Sequence, residues 1–437
     1  MYIKGSDNVE KFEYYGKAHK YSKALWLELL RVPASEHARY NIGRYWTFTD
    51  EIDIPRMRQA LQVVVNSNWD MRSNFFEQDG ELYLGVHKVV NVKLEYKEAT
   101  TAAACSALIE ALPALPFDLE HDKLFRFYAI KNIADQQTTL LFVFCHLITD
   151  GAVIENIAKQ AEQAYIDQVR PGTDGSDSAG LATLQAFMAA EEQAAADDTG
   201  IAYWADKLAG KTLTNQLPRN SGGKESEFKV MRADKVIAGE IYRKIKRFCS
   251  VHNLSLFNVM QALTGLVVCR YSSSAEAVIS YPVNIRGQHK GLKGFCVNAL
   301  LYLFAEAGTF LEQVQKLRAE IPPSAARKLA AWELSGAVYT KDTHLNVALS
   351  HTLGYKFNFA QIGSVSENIL IPNVGQSDLA VYYDELPDGL ELTVLSVAGS
   401  FGTEMLIQIA NHFEWLADKV TDETQEQTDR ITLLTAG

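Results

Sequence analysis

Seven consecutive residues, Cys145-His146-Leu147-Ile148-Thr149-Asp150-Gly151, bring together the side chains best suited to chemistry in this chain. Imidazole has the proton affinity nearest neutrality, so His146 can take a proton from an amine or hydroxyl that attacks a carbonyl. It stands at the end of an apolar run, where the backbone leaves an extended segment and the ring can face a cleft. Asp150, four residues on, closes the loop, and Gly151 lets the backbone turn tightly. Each residue also has a plainer reading: a core histidine, an aspartate capping the helix that starts at Ala152, and a turn glycine. An HxxxDG pattern arises by chance in on the order of one chain in thirty of this length, so the pattern alone decides little.

Cys145 raises the question of a thiol nucleophile with His146 as its base. Adjacent residues in an extended segment point to opposite faces, so thiol and ring do not converge there. No GxSxG elbow supports a serine triad. The histidines include no HExxH and no close pair, and no metal site is expected. Cys105, Cys145, Cys249, Cys269 and Cys296 lack CxxC spacing and stand mostly in apolar text such as LVVCRY and KGFCVN, as buried reduced thiols do.

The elements around the motif follow from periodicity. TTLLFVFC, residues 138–145, is rich in strand formers. AVIENIAKQAEQAYIDQ, residues 152–168, puts Ile154, Ile157, Ala158, Ala161 and Tyr165 on one helical face. The unit is therefore strand, tight loop, helix. Upstream, IPRMRQALQVVVNS over 54–67 predicts a helix with Pro55 near its start. PGTDGSDSAG over 171–180 is a cluster of turn formers, and a boundary between two domains, 1–175 and 176–437, is expected there. Beyond it the pattern predicts helices at 237–253, 256–272 and 309–321, and strands through AVISYPVNIR and VNALLYLF. LAVYYDELPDGLELTVLS alternates on both sides of Pro387-Asp388-Gly389, a hairpin signal. FGTEMLIQIANHFEWLADKV closes the series as an amphipathic helix. Antiparallel strands with flanking helices recur in both halves and suggest two related α+β sandwiches.

With 437 residues the chain has length for two domains, and 47% hydrophobic against 22% charged residues is globular composition. A net charge of −11 argues against a broad nucleic-acid or anionic-membrane footprint. The N-terminal text MYIKGSDNVEKFEYYGKAHK has no apolar core of signal-peptide length, and no apolar run reaches the roughly 18 residues of a membrane span. A cytoplasmic monomer is expected.

The strand, His146, Asp150, Gly151 and the following helix resemble the HxxxDG acyltransferases, and best of all the condensation domains of nonribosomal peptide synthetases. Similar text runs in the same order through ALWLELL, YNIGRYWTFTDEIDIPRMRQAL, WDMRSNFFE and FDLEHDKLFRFYAI. After the motif come YWADKLAG with LPRN, then LSLFNVMQALTGLVVCRYSSSAEAVISYPVNIRG, GFCVNALLYLF, YKFNFAQ and SDLAVYYDE.

The resemblance implies two chloramphenicol acetyltransferase-like α/β sandwich subdomains, forming a V-shaped pseudodimer with a central tunnel. It implies that His146 is the catalytic histidine, as base or as the group that orients the acceptor, and that the Gly151 amide helps hold an oxyanion. By the same resemblance Asp150 is structural and pairs with Arg286 of YPVNIRG, joining the two halves beneath the site. The family usually carries two successive histidines, and Cys145 replaces the first, so the packing behind His146 must differ. No bound cofactor is implied. The donor would be an acyl or peptidyl group on the phosphopantetheine of a carrier protein, or else on coenzyme A, and the acceptor a small amine or alcohol. With no carrier or adenylation text beside it, a freestanding enzyme of natural-product biosynthesis is expected. The alternatives are a coenzyme A-dependent O- or N-acyltransferase and a catalytically silent docking module of an assembly line.

Overall fold

The computed structural model describes residues 11–172, 177–194, 199–218, 230–326, 345–351, 357–370, 377–397, 400–422 and 428. The chain forms two compact units. Unit 1 comprises Met1–Asp197, Asn284–Val297 and Tyr355–Asn373, and unit 2 comprises Asp198–Val283, Asn298–Gly354 and Val374–Gly437. The division expected between residues 175 and 176 is thus displaced to 197/198, and two later segments return to unit 1. Turn-forming residues report where regular structure is interrupted, but packing decides which unit a segment joins. Residues 173–176 of the turn-rich stretch lie outside the described residues, and a helix resumes at Ser178 within unit 1.

Unit 1 contains strands β1 (Phe12–Lys17), β2 (Asn41–Phe48), β3 (Ser73–Gln78), β4 (Glu81–His87), β5 (Leu94–Ala99), β6 (Phe125–Asn132) and β7 (Thr138–Cys145). Its helices are α1 (Lys20–Leu29), α2 (Ile54–Asn66), α3 (Ala102–Ala111), α4 (Gly151–Ile166) and α5 (Ser178–Ala194). Unit 2 contains α6 (Thr199–Leu208), β8 (Val230–Ala238), α7 (Gly239–Val251), α8 (Leu256–Ser272), β9 (Glu276–Asn284), β10 (Val297–Ala305), α9 (Phe310–Ala326) and β11 (Val347–His351). Strand β12 (Ser364–Leu370) returns to unit 1, and β13 (Leu379–Leu386), β14 (Gly389–Val397) and α10 (Thr403–Val420) complete unit 2.

In unit 1 the main sheet runs β12-β2-β7-β6-β5, with β1-β4-β3 as a smaller sheet. Every residue of β7 is buried, the continuous apolar text of a strand covered on both faces. β7 pairs antiparallel with β2 and β6, and Asn41 lies opposite Cys145. The Asn41 amide donates to the carbonyls of Pro113 and Leu115 at 2.8 and 3.0 Å, which anchors the sheet beside the motif. β5 and β6 are parallel, with α3 supplying the crossover such a pair needs.

Helix α2 starts with Asp53 accepting from the Arg56 amide and Pro55 in its first turn. Arg56 in turn donates to the carbonyls of Tyr165 and Ile166, at 2.6 and 3.0 Å, and so caps the C-terminus of α4. The helix that carries the motif is therefore held at its far end by a helix much earlier in the chain.

Unit 2 has one six-stranded sheet, β10-β9-β11-β13-β14-β8. β13 and β14 meet through Pro387 and Asp388, with Leu386 opposite Gly389 as the hairpin pattern predicts. β11 runs parallel to both β13 and β9, so the sheet is mixed. Helix α8 is buried from Asn258 through Cys269, polar Asn258, Gln261 and Thr264 included, which is why its text lacks a charged, solvent-facing side over that stretch. Gly265 is required within it, because a Cβ there would collide with the ring of Phe304. No single described helix is long and apolar enough to cross a membrane.

Candidate active site

Strand β7 ends at Cys145, and His146–Ile148 make one turn of 3-10 helix before α4. This break in the pleat frees the two adjacent side chains. Cys145 stays in the interior at 2% exposed, whereas the His146 ring is only partly buried. Burial pushes the Cys145 thiol up to about 12, so it is protonated at neutral pH and a poor nucleophile.

His146 Nδ1 lies 2.7 Å from the carbonyl oxygen of Thr149. A carbonyl only accepts, so Nδ1 carries a proton and the neutral ring leaves Nε2 as its free acceptor. Burial lowers the pKa of His146 below the ordinary imidazole value, opposed by the Thr149 carbonyl and the charge of Asp150. The ring of Phe295 packs against the imidazole edge-on, with centroids 5.0 Å apart and planes at 84°.

Asp150 is buried, and both carboxylate oxygens are occupied. Oδ1 accepts from the amides of Ala152 and Val153, each at 3.2 Å, as the cap of α4. Oδ2 accepts from Arg286 Nη2 at 2.8 Å and from the Cys296 amide at 3.1 Å. The capping role and the partnership with Arg286 therefore coexist, one on each oxygen.

Arg286 belongs to segment 284–297, which packs in unit 1. Its ion pair with Asp150 consequently lies inside unit 1, and the expectation that it ties one compact unit to the other is corrected. Position along the chain was a poor guide, because the loop between β9 and β10 leaves the sheet of unit 2. The loop is braced by its own carbonyls, Arg286 Nε donating to Leu292 at 2.7 Å and Nη2 to Gly294 at 3.3 Å. Lys293 pins it further, reaching Asp177 at 2.6 Å and the carbonyl of Ser67 at 2.9 Å. Gly294 has φ +84°, and a Cβ there would crowd the Trp69 ring at 3.0 Å, so glycine is needed for both reasons.

Gly151 is the first residue of α4 and is not among the left-handed glycines. The expected tight turn at Gly151 is instead made by the His146–Ile148 turn and the extended Asp150. The cap from Asp150 reaches the second and third residues of the helix and leaves the Gly151 amide out.

His146, Asp150, Gly151 and Arg286 thus come together in one unit, with Cys145 behind them. Three further participants escaped the sequence reading: the carbonyl of Thr149, the ring of Phe295 and the amide of Cys296. Thr149 had a signal in its i+3 spacing from His146 within a tight loop. Phe295 and Cys296 had none, since their contacts cross more than a hundred residues. A cavity of about 500 Å3 lies beside this group, lined by Ala152, Val153 and Asn156 at the start of α4 and by Arg286, Lys290 and Lys293 of the loop. Another, of about 770 Å3, lies within unit 2 among Tyr203, Lys207, Lys211 and Phe304. Among the described residues no cluster of His, Cys, Asp and Glu could hold a metal ion.

A family model described as the condensation domain matches residues 30–437. The chain belongs to the condensation-domain family. This condensation domain is 20% identical over 439 residues to bacitracin synthase 3 of Bacillus licheniformis, covering 97% of the chain and 7% of that protein. It is 22% identical over 444 residues to tyrocidine synthase 3 of Brevibacillus parabrevis, covering 98% of the chain and 7% of that protein. The chain therefore spans only a small part of the length of these relatives. A variant of the starter condensation domain of rhizomide synthetase, in complex with C8-CoA and Leu-SNAC, superposes with a TM-score of 0.78 at 16% identity. That match covers 98% of this chain and 99% of the other. The X-domain from teicoplanin biosynthesis gives 0.80 at 15% identity, covering 96% and 98%. At such identities the likeness is one of fold, and it bears out the mixed α/β architecture of this condensation domain.

Proposed function

We propose that the chain catalyses acyl transfer from a carrier-protein phosphopantetheine thioester to an amine or hydroxyl acceptor, forming an amide or ester, with His146 as general base. The observation that carries this reading is the bond from His146 Nδ1 to the Thr149 carbonyl, which leaves Nε2 unprotonated and able to receive the acceptor's proton. As that proton passes to Nε2, the acceptor's lone pair forms the new bond to the thioester carbon, and the carbonyl electrons move onto oxygen. The Gly151 amide, outside the Asp150 cap, donates to the oxyanion. Collapse of the intermediate breaks the C–S bond, and the departing sulfur takes the proton from His146. Asp150 and Arg286 hold the motif in place, Cys145 packs behind it, and no bound cofactor takes part.

Membership of the condensation-domain family supports this choice of reaction, because the named relatives are peptide synthases. A second donor, acyl coenzyme A, is favoured by one observation: the similar rhizomide synthetase domain is in complex with C8-CoA.

The test is intact-mass analysis of acylated carrier proteins, and in parallel of acyl coenzyme A, incubated with the chain and a panel of amines and alcohols. Acyl groups should leave the carrier only when an acceptor is present, and His146→Ala should slow transfer by about a hundredfold or more. Equal product from both proteins would falsify the base assignment. Product from coenzyme A alone would replace the carrier as donor, and none from either would leave a docking module.

A further inference from the structure

Phe295, whose ring packs edge-on against the His146 imidazole, is 8% exposed and sits in a stretch of loop that is braced in two different ways. Arg286 donates from Nε to the Leu292 carbonyl at 2.7 Å and from Nη2 to the Gly294 carbonyl at 3.3 Å. Because Arg286 belongs to the same loop, these bonds fix the loop's shape and leave its place in the unit open. Place is set from outside. On one flank of Phe295 the Cys296 amide donates to Asp150 Oδ2 at 3.1 Å, the carboxylate oxygen that also takes Arg286 Nη2. On the other flank Lys293 Nζ donates to Asp177 Oδ2 at 2.6 Å and to the Ser67 carbonyl at 2.9 Å.

This second anchor is itself firmly seated. The Asp177 side chain is 10% exposed, its Oδ1 accepts from the Gly180 amide in the first turn of α5, and its Oδ2 also accepts from the Trp69 amide, each at 3.1 Å. The Trp69 ring in turn lies against Gly294, the residue between Lys293 and Phe295. Gly294 has φ +84°, and glycine restricts rotation of the backbone least of all residues. Burial of Leu292 and Cys296 draws the loop inward, but the hydrophobic effect is non-directional and does not fix its rotation. A loop anchored at Asp150 alone can swing about that carboxylate, and swinging carries the Phe295 ring with it. An ammonium held on the opposite flank removes that freedom.

We propose that Lys293 is a positioning residue: its clamp on Asp177 and Ser67, set against the Asp150 anchor, holds the Phe295 ring edge-on to the His146 imidazole. This rests on His146 being the base of the reaction proposed above. It assigns a role in the site to Lys293 and Asp177, which the HxxxDG motif does not include.

The test reads the ring-current shifts of the His146 ring protons in the full chain labelled with 15N and 13C at histidine, with the signals assigned by comparison with His146→Gln. Spectra are recorded at pH 8, where burial keeps the His146 ring neutral. Phe295→Leu marks where the signals fall once the aromatic ring is gone. In Lys293→Met, which keeps an apolar stem and loses the ammonium, the His146 signals should move towards the Phe295→Leu positions. Lys293→Arg, which keeps donors for both oxygens, should leave them near the wild-type positions. With whichever acyl donor and acceptor the chain turns over, kcat should fall by about tenfold in Lys293→Met and recover in Lys293→Arg, with KM within about twofold. A folded Lys293→Met whose His146 signals stay at their wild-type positions would overturn the proposal.

Should Lys293→Met not fold, Asp177→Asn decides. Its oxygen can still accept from the Gly180 amide, while its NH2 faces the Lys293 ammonium, donor against donor. The His146 signals must then move in the same direction, and unmoved signals in the folded variant sink the idea. If His146→Gln keeps full turnover, the base assignment falls, while the link between Lys293 and the His146 signals is still read independently.

Discussion

Asp150 Oδ2 and Arg286 Nη2 stand 2.8 Å apart, joining residues 136 positions distant in the sequence, and both side chains are buried. The carboxylate is filled to capacity, with two amides of α4 on one oxygen and Arg286 with the Cys296 amide on the other. A single group thereby sets the start of the motif helix and the path of the 284–297 loop.

Breaking this pair should cost stability before it costs chemistry. Removing one partner of a buried ion pair typically costs about 3–5 kcal/mol, because the other charge stays buried. Asp150→Asn keeps an oxygen for the α4 amides and should lose less than Asp150→Ala, which also forfeits a helix cap worth about 1 kcal/mol. Urea unfolding of both variants, and of Asp150→Asn with Arg286→Met, measures this. The double variant should be less destabilised than the sum of the singles, and a fully stable, fully active Asp150→Asn would defeat the role given to Asp150.

The rate should depend on pH through a neutral His146. Burial holds its pKa below the ordinary value of 6.5, so the acting form is already dominant at pH 7. As pH falls, kcat/KM should decline with a midpoint below 6.5, tenfold per unit once the ring is mostly protonated. A midpoint at or above 6.5 would contradict the burial of the ring.

Cys145→Ser should retain turnover within about fivefold, since a thiol pushed up to about 12 supplies no thiolate at neutral pH. Alkylating reagents should likewise leave Cys145 of the folded chain unmodified. Cys145→His, which recreates the paired histidines of the family, should be less stable by about 1–3 kcal/mol, because the site is 2% exposed and has no room for a ring. Complete loss of activity in Cys145→Ser would revive a thiol mechanism.

Asp70 should make the protein less stable as pH rises. It is fully buried, and neither carboxylate oxygen has a well-aligned hydrogen-bond partner among the described residues. Burial lifts its pKa from 3.8 to about 7, with Lys293 and the amides of Asp70 and Met71 opposing and Asp177 adding to the rise. The folded state therefore holds this proton more tightly than the unfolded state, and stability falls between about pH 4 and pH 7. Asp70→Asn should unfold later than wild type at pH 8, by roughly 2–4 kcal/mol, with the difference gone at pH 4. Equal gains at both pH values would show that charge is not the cause.

Local patterning made much of the architecture legible. The apolar run of β7, the helical face of α4, the Pro387-Asp388 hairpin and the largely apolar α8 each carry their signal within about twenty residues, as periodicity does. The parallel pairings of β5 with β6 and of β11 with β13 do not, because strand direction is settled by partners brought in from elsewhere in the chain.

By itself the sequence determined the chemistry available: an imidazole at a strand end, an aspartate placed to cap the next helix, and a thiol in apolar company. Residue type and spacing fix those properties before any packing occurs. Tertiary structure alone decided that Arg286 folds back within unit 1, that Thr149 selects the tautomer of His146, and that Phe295 packs against its ring. These are distances between residues remote in the chain or set by one backbone turn. Such distances depend on how every intervening element packs, which no local pattern encodes.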